Sequence, residues 1–431
     1  MSPRLALERF AYLLVWLLAA PLIPLRLLWR GRREPGYLHH WSERLGGGPR
    51  LGGQPVWLHA VSVGEVRASA PLVEKFFAAC PQTPLLLTCM TAAGRATAEM
   101  LFAGKVSVRY LPYDYAWAIA RFLRRTRPRL GLVLETEIWP NMVRQAQRAG
   151  VPLTLVNARL SARSARGYAK FPALTRASLA AFHAVAAQSA ADAARLKALG
   201  AHPVTVTGNL KFDQTPPAEL LRLGRAWRAA WGARPVLLAA STREGEEALV
   251  IDAFLRRFDA TVLLVLVPRH PQRFDAVAEL LHERGIAFAR RSENTPPDAS
   301  AQVLLGDSLG ELYAYYSACD LAFVGGSLLD HGGQNLIEAA ACGTPVLVGP
   351  HTHNFAAAVA EAVAGGAARQ VATADELMDA AAGLLDNQAA RQAMAAAGLA
   401  YARAHRGATE KVWALVRGYC EEAGKVHASR T

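Results

Sequence analysis

An α/β fold with two doubly wound domains is the class that this sequence predicts, and three observations lead to it. Short apolar runs alternate with helix-period segments from residue 57 onward. The runs are near-continuous in Val, Leu and Ala, as strands of a parallel sheet covered on both faces should be. The rhythm breaks once, over GNLKFDQTPP (208–217), and then restarts. A chain of 431 residues also exceeds one average domain and fits two of roughly 150–200 residues. Hydrophobic residues make up 52% and charged residues 19%, which excludes a disordered chain.

The first element is apolar. Phe10 to Leu25 (FAYLLVWLLAAPLIPL) carries no charge, and Leu27 to Trp29 extend it past Arg26. A membrane-spanning helix needs about 20 such residues, and Pro21 and Pro24 would kink this one. Arg26, Arg30, Arg32 and Arg33 follow, against Arg4 and Arg9 before it. That asymmetry predicts an uncleaved anchor or a membrane-embedded helix over residues 1–33, with the bulk of the chain on the cytoplasmic side. Arg-rich sequence, rather than a small-residue cleavage site, follows the apolar run, which argues against a cleaved signal.

A Gly/Pro-rich connector (45–55) leads into the first domain, read over 34–207. WLHAV (57–61), PLLLTC (84–89), VSVRYL (106–111), LGLVLE (130–135), VPLTLVN (151–157) and AVAAQ (184–188) read as its strands, with helices over 65–79 and 92–102 among the connections. The hinge is read over 208–217 and the second domain over 218–431. Its strands are PVLLAAS (235–241), TVLLVLVP (261–268), QVLLGD (302–307), DLAFVGG (320–326) and TPVLVG (344–349). The Ala-rich end (373–424) reads as helices, one of them a candidate to cross back over the first domain. In such sheets ligands bind outside the carboxyl ends of strands, here expected in a cleft between the domains.

Lys plus Arg number 48 and Asp plus Glu 35, a formal net charge of +13 that favours anionic partners without choosing among them. The five cysteines are scattered, with no C-x-x-C pair and an odd count, which reads as reduced thiols.

Five stretches carry candidate chemistry. In HAVSVGE (59–65) a strand ends and Glu65 lands in the first turn of a helix. There it serves either as an ordinary helix-start carboxylate or as a base for a hydroxyl nucleophile. LETEIWPN (134–141) sets Glu135 and Glu137 at a strand end, where capping and function are equal readings. GNLK (208–211) places Lys211 where the chain passes between domains, as a phosphate neutraliser or a solvated lysine. VPRHPQR (267–273) ends a strand with Pro268, Arg269 and His270, and Arg269 can fork onto a phosphate or a base. The most specific stretch is residues 325–354, GGSLLDHGGQNLIEAAACGTPVLVGPHTHN. Its glycines let a ligand approach the backbone, a helix beginning near Gln334 offers free N–H groups, and Glu338 can accept from ribose hydroxyls. This half resembles the nucleotide-binding domain of the two-domain glycosyltransferase fold called GT-B.

Other readings fail on spacing. There is no G-x-G-x-x-G opening a helix after a strand, no P-loop and no Asp-x-Asp pair. His331, His351 and His353 do not make a coherent ligand set, so no metal and no cofactor is expected.

Taken in order, RGRREPGY, HAVSVGE, YLPYD (110–114), ETEIWPN, NARLSARSARGY (157–168), TGNLKFD, STREGEE (241–247), VPRHPQRF, GDSLGELY (306–313) and FVGGSLLDHGGQN resemble the Kdo transferase family over nearly the whole chain. These enzymes attach 3-deoxy-D-manno-octulosonic acid to lipid A precursor. The resemblance implies a GT-B fold, CMP-Kdo as donor, and a tetraacylated phosphorylated lipid A precursor (lipid IVA) as acceptor. It implies lipopolysaccharide core biosynthesis at the inner membrane and no nucleic-acid partner. By the same resemblance Glu65 is the general base, and Glu135 and Lys211 stabilise the transition state. Pro268 and Arg269, then Leu309, Gly310 and Glu311, then Asn335, Leu336, Ile337 and Glu338, match CMP-binding segments. Gln334 stands where many members have His, Leu336 and Ile337 replace a more usual Pro-Leu, and Asn209 stands where Ser is often seen. Arg95 is a candidate contact for the acceptor's phosphates. The alternative is another GT-B transferase that uses a UDP-sugar for a membrane lipid.

Overall fold

The computed structural model describes residues 2–32 and 34–419, and Cys420 lies outside them. The chain forms two compact units, one from residues up to Gln214 together with the chain from Arg406, the other from Thr215 to His405. Each unit is built on a seven-stranded sheet in which every pairing is parallel.

In the first unit the strands are β1 (Val56–His59), β2 (Leu85–Cys89), β3 (Ser107–Tyr110), β4 (Leu130–Leu134), β5 (Leu153–Ala158), β6 (Ala184–Ala187) and β7 (Val204–Val206). Their order is β3-β2-β1-β4-β5-β6-β7, so the winding reverses between β1 and β4, where Val56 pairs with Leu130 and His59 with Val133. Strands β1, β2, β4, β5 and β6 are buried at every position, because helices cover both faces.

In the second unit β8 (Val236–Thr242), β9 (Leu263–Pro268), β10 (Phe288–Arg290), β11 (Val303–Leu305), β12 (Leu321–Val324), β13 (Val346–Val348) and β14 (Ala368–Gln370) run in the order β10-β11-β9-β8-β12-β13-β14. This winding reverses between β8 and β12, with Leu321 against Leu237 and Val324 against Ala240.

The apolar start is two helices, α1 (Pro3–Ala19) and α2 (Leu22–Gly31), bent by 51° at the break. Among the described residues no single helix is long and apolar enough to cross a membrane; this bent pair passes that test only together. Glu8, Tyr12 and Trp16, spaced four apart, form one stripe of α1 that is tied to the first unit. Glu8 accepts from the Leu174 N–H (2.7 Å), and the Tyr12 hydroxyl donates to Asp114 (2.8 Å). Trp16 packs on Tyr113, Tyr115 and Trp139. Leu7, Phe10, Leu17 and Leu18 on the same helix are exposed.

The remaining helices of the site are α3 (Val63–Ala79), α4 (Ala92–Phe102), α5 (Ala116–Thr126) and α6 (Pro140–Arg148). The sequence reading carried the second domain on to residue 431. In the structure the chain rejoins the first unit at Arg406. Helix Ala408–Val416 buries Val412 and Val416 in the apolar cluster of Leu72, Val73 and Phe76, and its start is capped by Asp213, which accepts from the Gly407 and Thr409 N–H groups (2.6 and 2.5 Å).

Candidate active site

Strand β1 ends at His59 and α3 starts at Val63, so Glu65 is the third residue of that helix with Ser62 at its N-cap. The carboxylate reaches back. One oxygen accepts from the Ser62 hydroxyl (2.8 Å) and the other from the Val61 N–H (2.9 Å). The helix-start role is therefore real, and it holds the side chain, 8% exposed, in a fixed orientation.

Strand β4 ends at Leu134, one residue short of the predicted strand, because Glu135 adopts a left-handed backbone with φ 55°. Such strain in a non-glycine residue collects at functional positions. Since β1 and β4 are neighbours at the reversal of the winding, Glu65 and Glu135 both follow strands that flank the switch point. Burial, then the charge of Glu135, raises the Glu65 carboxyl to about 7; Glu137 adds to the rise. Glu137 is itself raised, chiefly by burial, while accepting from the Trp139 indole N–H (2.8 Å). A carboxyl that titrates near neutrality combines an ionised fraction with useful basicity.

Lys211 sits on a 3-10 turn, Leu210–Asp213, and its Nζ lies 3.4 Å from a Glu135 oxygen. Thus Glu65, Glu135 and Lys211, separated in sequence, come together in the first unit. A residue that the sequence reasoning missed sets that turn. Asn157, fully buried with φ 55°, accepts from the Leu210 N–H (3.0 Å). Its partner is 53 residues away, and its one signal in the sequence was membership of the NARL stretch. Asp114 is a second such residue. It caps α6 by accepting from the Asn141 and Met142 N–H groups (2.9 and 2.7 Å), and burial raises it to about 7 despite those bonds. His59 is fully buried on Thr88, and burial lowers it to about 4, so the ring is neutral.

Arg95 corrects an expectation. Its guanidinium is engaged within the protein, by Glu43 (2.5 Å), Glu99 (2.8 Å) and the Val108 carbonyl (3.3 Å). Two carboxylates already satisfy the cation proposed for the acceptor's phosphates.

In the second unit the predicted residues fall at or just beyond carboxyl ends. Pro268 closes β9, and the Arg269 N–H donates to the Thr242 carbonyl at the end of neighbouring β8 (2.9 Å). Leu309, Gly310 and Glu311 follow β11, the other neighbour of β9. Leu309 is 70% exposed, Gly310 has φ 84°, and Glu311 pairs with Arg291 (2.8 Å). The helix expected near Gln334 begins at Ile337 instead. Asn335 acts as its cap, accepting from the Ile337 N–H (3.1 Å) and donating to Glu338 (3.1 Å), while Leu336 and Ile337 are buried. Asn335 and Glu338 are thus the polar members of that segment.

The loop before it is held by a residue that sequence reasoning left unassigned. Glu246, fully buried, accepts from four backbone N–H groups: Arg243 (2.9 Å), Gly326 (2.5 Å), Ser327 (2.8 Å) and Leu328 (2.8 Å). His351 and His353 face Asp330 at 3.8 and 3.5 Å, and among the described residues no group of three or more His, Cys, Asp or Glu is arranged to hold a metal ion.

Comparison with known proteins bears on both units. A family profile described as 3-Deoxy-D-manno-octulosonic-acid transferase (kdotransferase) matches residues 39–214, and one described as Glycosyl transferases group 1 matches residues 288–400. A 3-deoxy-D-manno-octulosonic acid transferase of Bordetella pertussis is 47% identical over 408 residues, covering 91% of this chain and 95% of that protein. Its namesake from Haemophilus influenzae is 37% identical over 96% of this chain and 99% of that protein. Among solved structures, a UDP-GlcNAc 2-epimerase from Neisseria meningitidis superposes with a TM-score of 0.60 at 16% identity, covering 84% of this chain and 100% of that one, which is a likeness of fold.

Proposed function

This chain belongs to the 3-deoxy-D-manno-octulosonic acid (Kdo) transferase family and is a glycosyltransferase, and from that premise we propose that it moves Kdo from CMP-Kdo to a tetraacylated, phosphorylated lipid A precursor in lipopolysaccharide core biosynthesis. The observation that carries this reading is the Glu65 carboxylate, buried at the switch point of the first sheet and raised to about 7 by burial and by Glu135.

The reaction is one displacement with inversion. Each Glu65 oxygen accepts one hydrogen bond within the protein and keeps a further lone pair for the acceptor hydroxyl. As that hydroxyl oxygen bonds to the anomeric carbon of Kdo, its proton passes to Glu65 and the bond to the CMP phosphate breaks. General-base help of this kind contributes about 10²- to 10⁴-fold. Lys211, held at Glu135, answers the charge that builds in the transition state. Arg269 takes the departing phosphate, and Asn335 with Glu338 takes the nucleoside hydroxyls. The first unit so supplies the base, and the second the nucleotide's contacts.

The acceptor is a membrane lipid in this reading, and α1–α2 bring the enzyme to it at the inner membrane. The bonding of the Glu8–Tyr12–Trp16 stripe to the first unit, with Leu7, Phe10, Leu17 and Leu18 exposed, supports a reading in which the pair lies in the cytoplasmic leaflet. Mass spectrometry of the lipid after incubation with CMP-Kdo and precursor tests the reading. A gain of one or more Kdo masses with release of CMP is expected. Consumption of a UDP-sugar with CMP-Kdo left intact would overturn it.

A further inference from the structure

We propose that Arg243 grips the carboxylate of the donor sugar, so that the second unit reads an acidic sugar as well as its nucleotide. The inference rests on the donor reading above and deepens it.

Place comes first. The second sheet reverses its winding between β8 and β12, the position where open α/β sheets take their ligands. Arg243 is the first residue past β8, Gly325 and Gly326 are the first past β12, and Arg269 and His270 are the first past β9. The bond from the Arg269 N–H to the Thr242 carbonyl (2.9 Å) keeps the two arginines on adjoining strand ends. Gly326, with φ 67°, leaves room that a side chain would fill. A Cβ there would stand 3.0 Å from Gln334 Nε2 and 3.4 Å from Arg243 Cγ, so the Arg243 stem and the Gln334 amide converge over one bare backbone position.

Charge comes second. The carboxylates near Arg243 are committed elsewhere. Glu246 is engaged by its four backbone donors, and Glu244 and Glu247 pair with Arg273 at 3.5 and 3.4 Å. Among the described residues Arg243 forms no ion pair; its Nη1 lies 3.0 Å from His270 Nε2. Burial, followed by the charges of Arg243 and Arg269, lowers His270, which keeps that ring neutral and able to accept. The imidazole therefore aims the guanidinium without cancelling its charge, and the fork keeps other N–H groups for a planar anion.

Chemistry comes third. The carboxylate of Kdo is attached to the anomeric carbon, which also bears the phosphate ester. The donor thus presents two anionic groups side by side, matching two arginines on neighbouring strand ends. A nucleotide-linked hexose has no charge at the carboxylate position.

The experiment compares the full-length wild type with Arg243→Ala and Arg243→Lys by calorimetric titration. The ligands are CMP, a hydrolysis-resistant CMP-Kdo analogue and the carboxamide of that analogue. Arg243→Ala should bind CMP within about threefold of wild type, which also reports that it is folded. It should bind the acidic analogue about 10- to 100-fold more weakly, the range of a charge-assisted hydrogen-bonded pair. The carboxamide should bind both proteins alike, and Lys should recover part of the loss. Equal weakening of CMP and the acidic analogue, or no change in either, would overturn the assignment, as would a wild type that binds acid and carboxamide equally. Wild type that transfers Kdo yet shows any of these results loses the subsite and keeps the function; wild type that releases no CMP from CMP-Kdo loses both.

Discussion

The two seven-stranded sheets share parallel winding and a single reversal, and they differ in what they set at their carboxyl ends. In the first unit the residues beyond β1 and β4 are carboxylates, Glu65, Glu135 and Glu137. They repel one another, and burial with that repulsion lifts Glu65 to about 7. In the second unit the one fully buried carboxylate of the β8 loop that reaches across to β12, Glu246, is matched by four backbone N–H groups, and the side chains beyond β8 and β9 are Arg243, Arg269 and His270. In the proposed reading, one scaffold serves as a proton acceptor in the first unit and as an anion holder in the second. The scaffold fixes where chemistry can happen, and the loop residues choose its sign.

The largest effect expected from breaking this contrast is on the first unit. Glu65→Gln removes the base, and the transfer rate should fall by at least about 10²-fold with CMP affinity kept. Its stability should respond in the opposite sense. Because the folded pKa of Glu65 is raised from the usual 4.5 to about 7, its favourable contribution is whole below the unfolded value and is lost as pH rises through the folded one. Relative to wild type the Gln variant should therefore gain in melting temperature from pH 4.5 to above 7. A rate within a few-fold of wild type, or a relative melting temperature flat across that range, would remove the base assignment or its cause.

Glu246→Gln is the matching change in the second unit, with the next largest effect. An amide offers one accepting oxygen where the carboxylate offered two, and its NH2 faces donors. Two of the four buried N–H groups lose their partner, at about 1–3 kcal/mol each. Denaturant titration should show a loss of about 2 kcal/mol or more. CMP binding should weaken because the loop through Gly326 to Leu328 loosens. Unchanged stability and CMP affinity would mean that the carboxylate does not organise this loop.

How much of this was legible follows from how far each cause lies from its effect along the chain. Strands β1, β4, β8 and β9 could be read because each is a buried apolar run. Strands β7, β10 and β14 could not. Each is three residues long and lies at a sheet edge where, apart from Ala368, every position is half-buried or exposed, so VTV, FAR and ARQ are too short and too little buried to form an apolar run. The break in the apolar start was legible through Pro21 and Pro24. Glu65 was visible as a candidate because its helix start is local. Its raised titration was not, since it comes from burial in the fold and, after that, from Glu135, placed 70 residues on by strand order. Asn157, Glu246 and the capture of Arg95 by Glu43 depend on partners 53, 80 and 52 residues away. Short-range pattern holds no trace of such pairings.

The smallest effect sharpens the contrast by titrating it. With Glu65 as the proposed base, working in its ionised form, kcat/KM should rise with pH along a limb centred near 7, the value to which burial and Glu135 raise the carboxyl. Glu135→Gln removes the nearer negative charge while leaving Glu65 buried. The ionised form then becomes easier to reach, so the limb should move to lower pH. It should stop short of the ordinary glutamate value of 4.5, because burial, the larger cause, remains. The same variant removes the carboxylate that Lys211 meets at 3.4 Å, so its maximal rate should also drop. A pH-rate series separates the two consequences, since the midpoint reports the charge on Glu65 and the plateau reports the lysine. In the second unit Arg243→Lys keeps its positive charge and should leave that midpoint in place. A limb that stays put in Glu135→Gln would show that burial alone sets the base, and that the clustering of carboxylates in the first sheet has no part in tuning it.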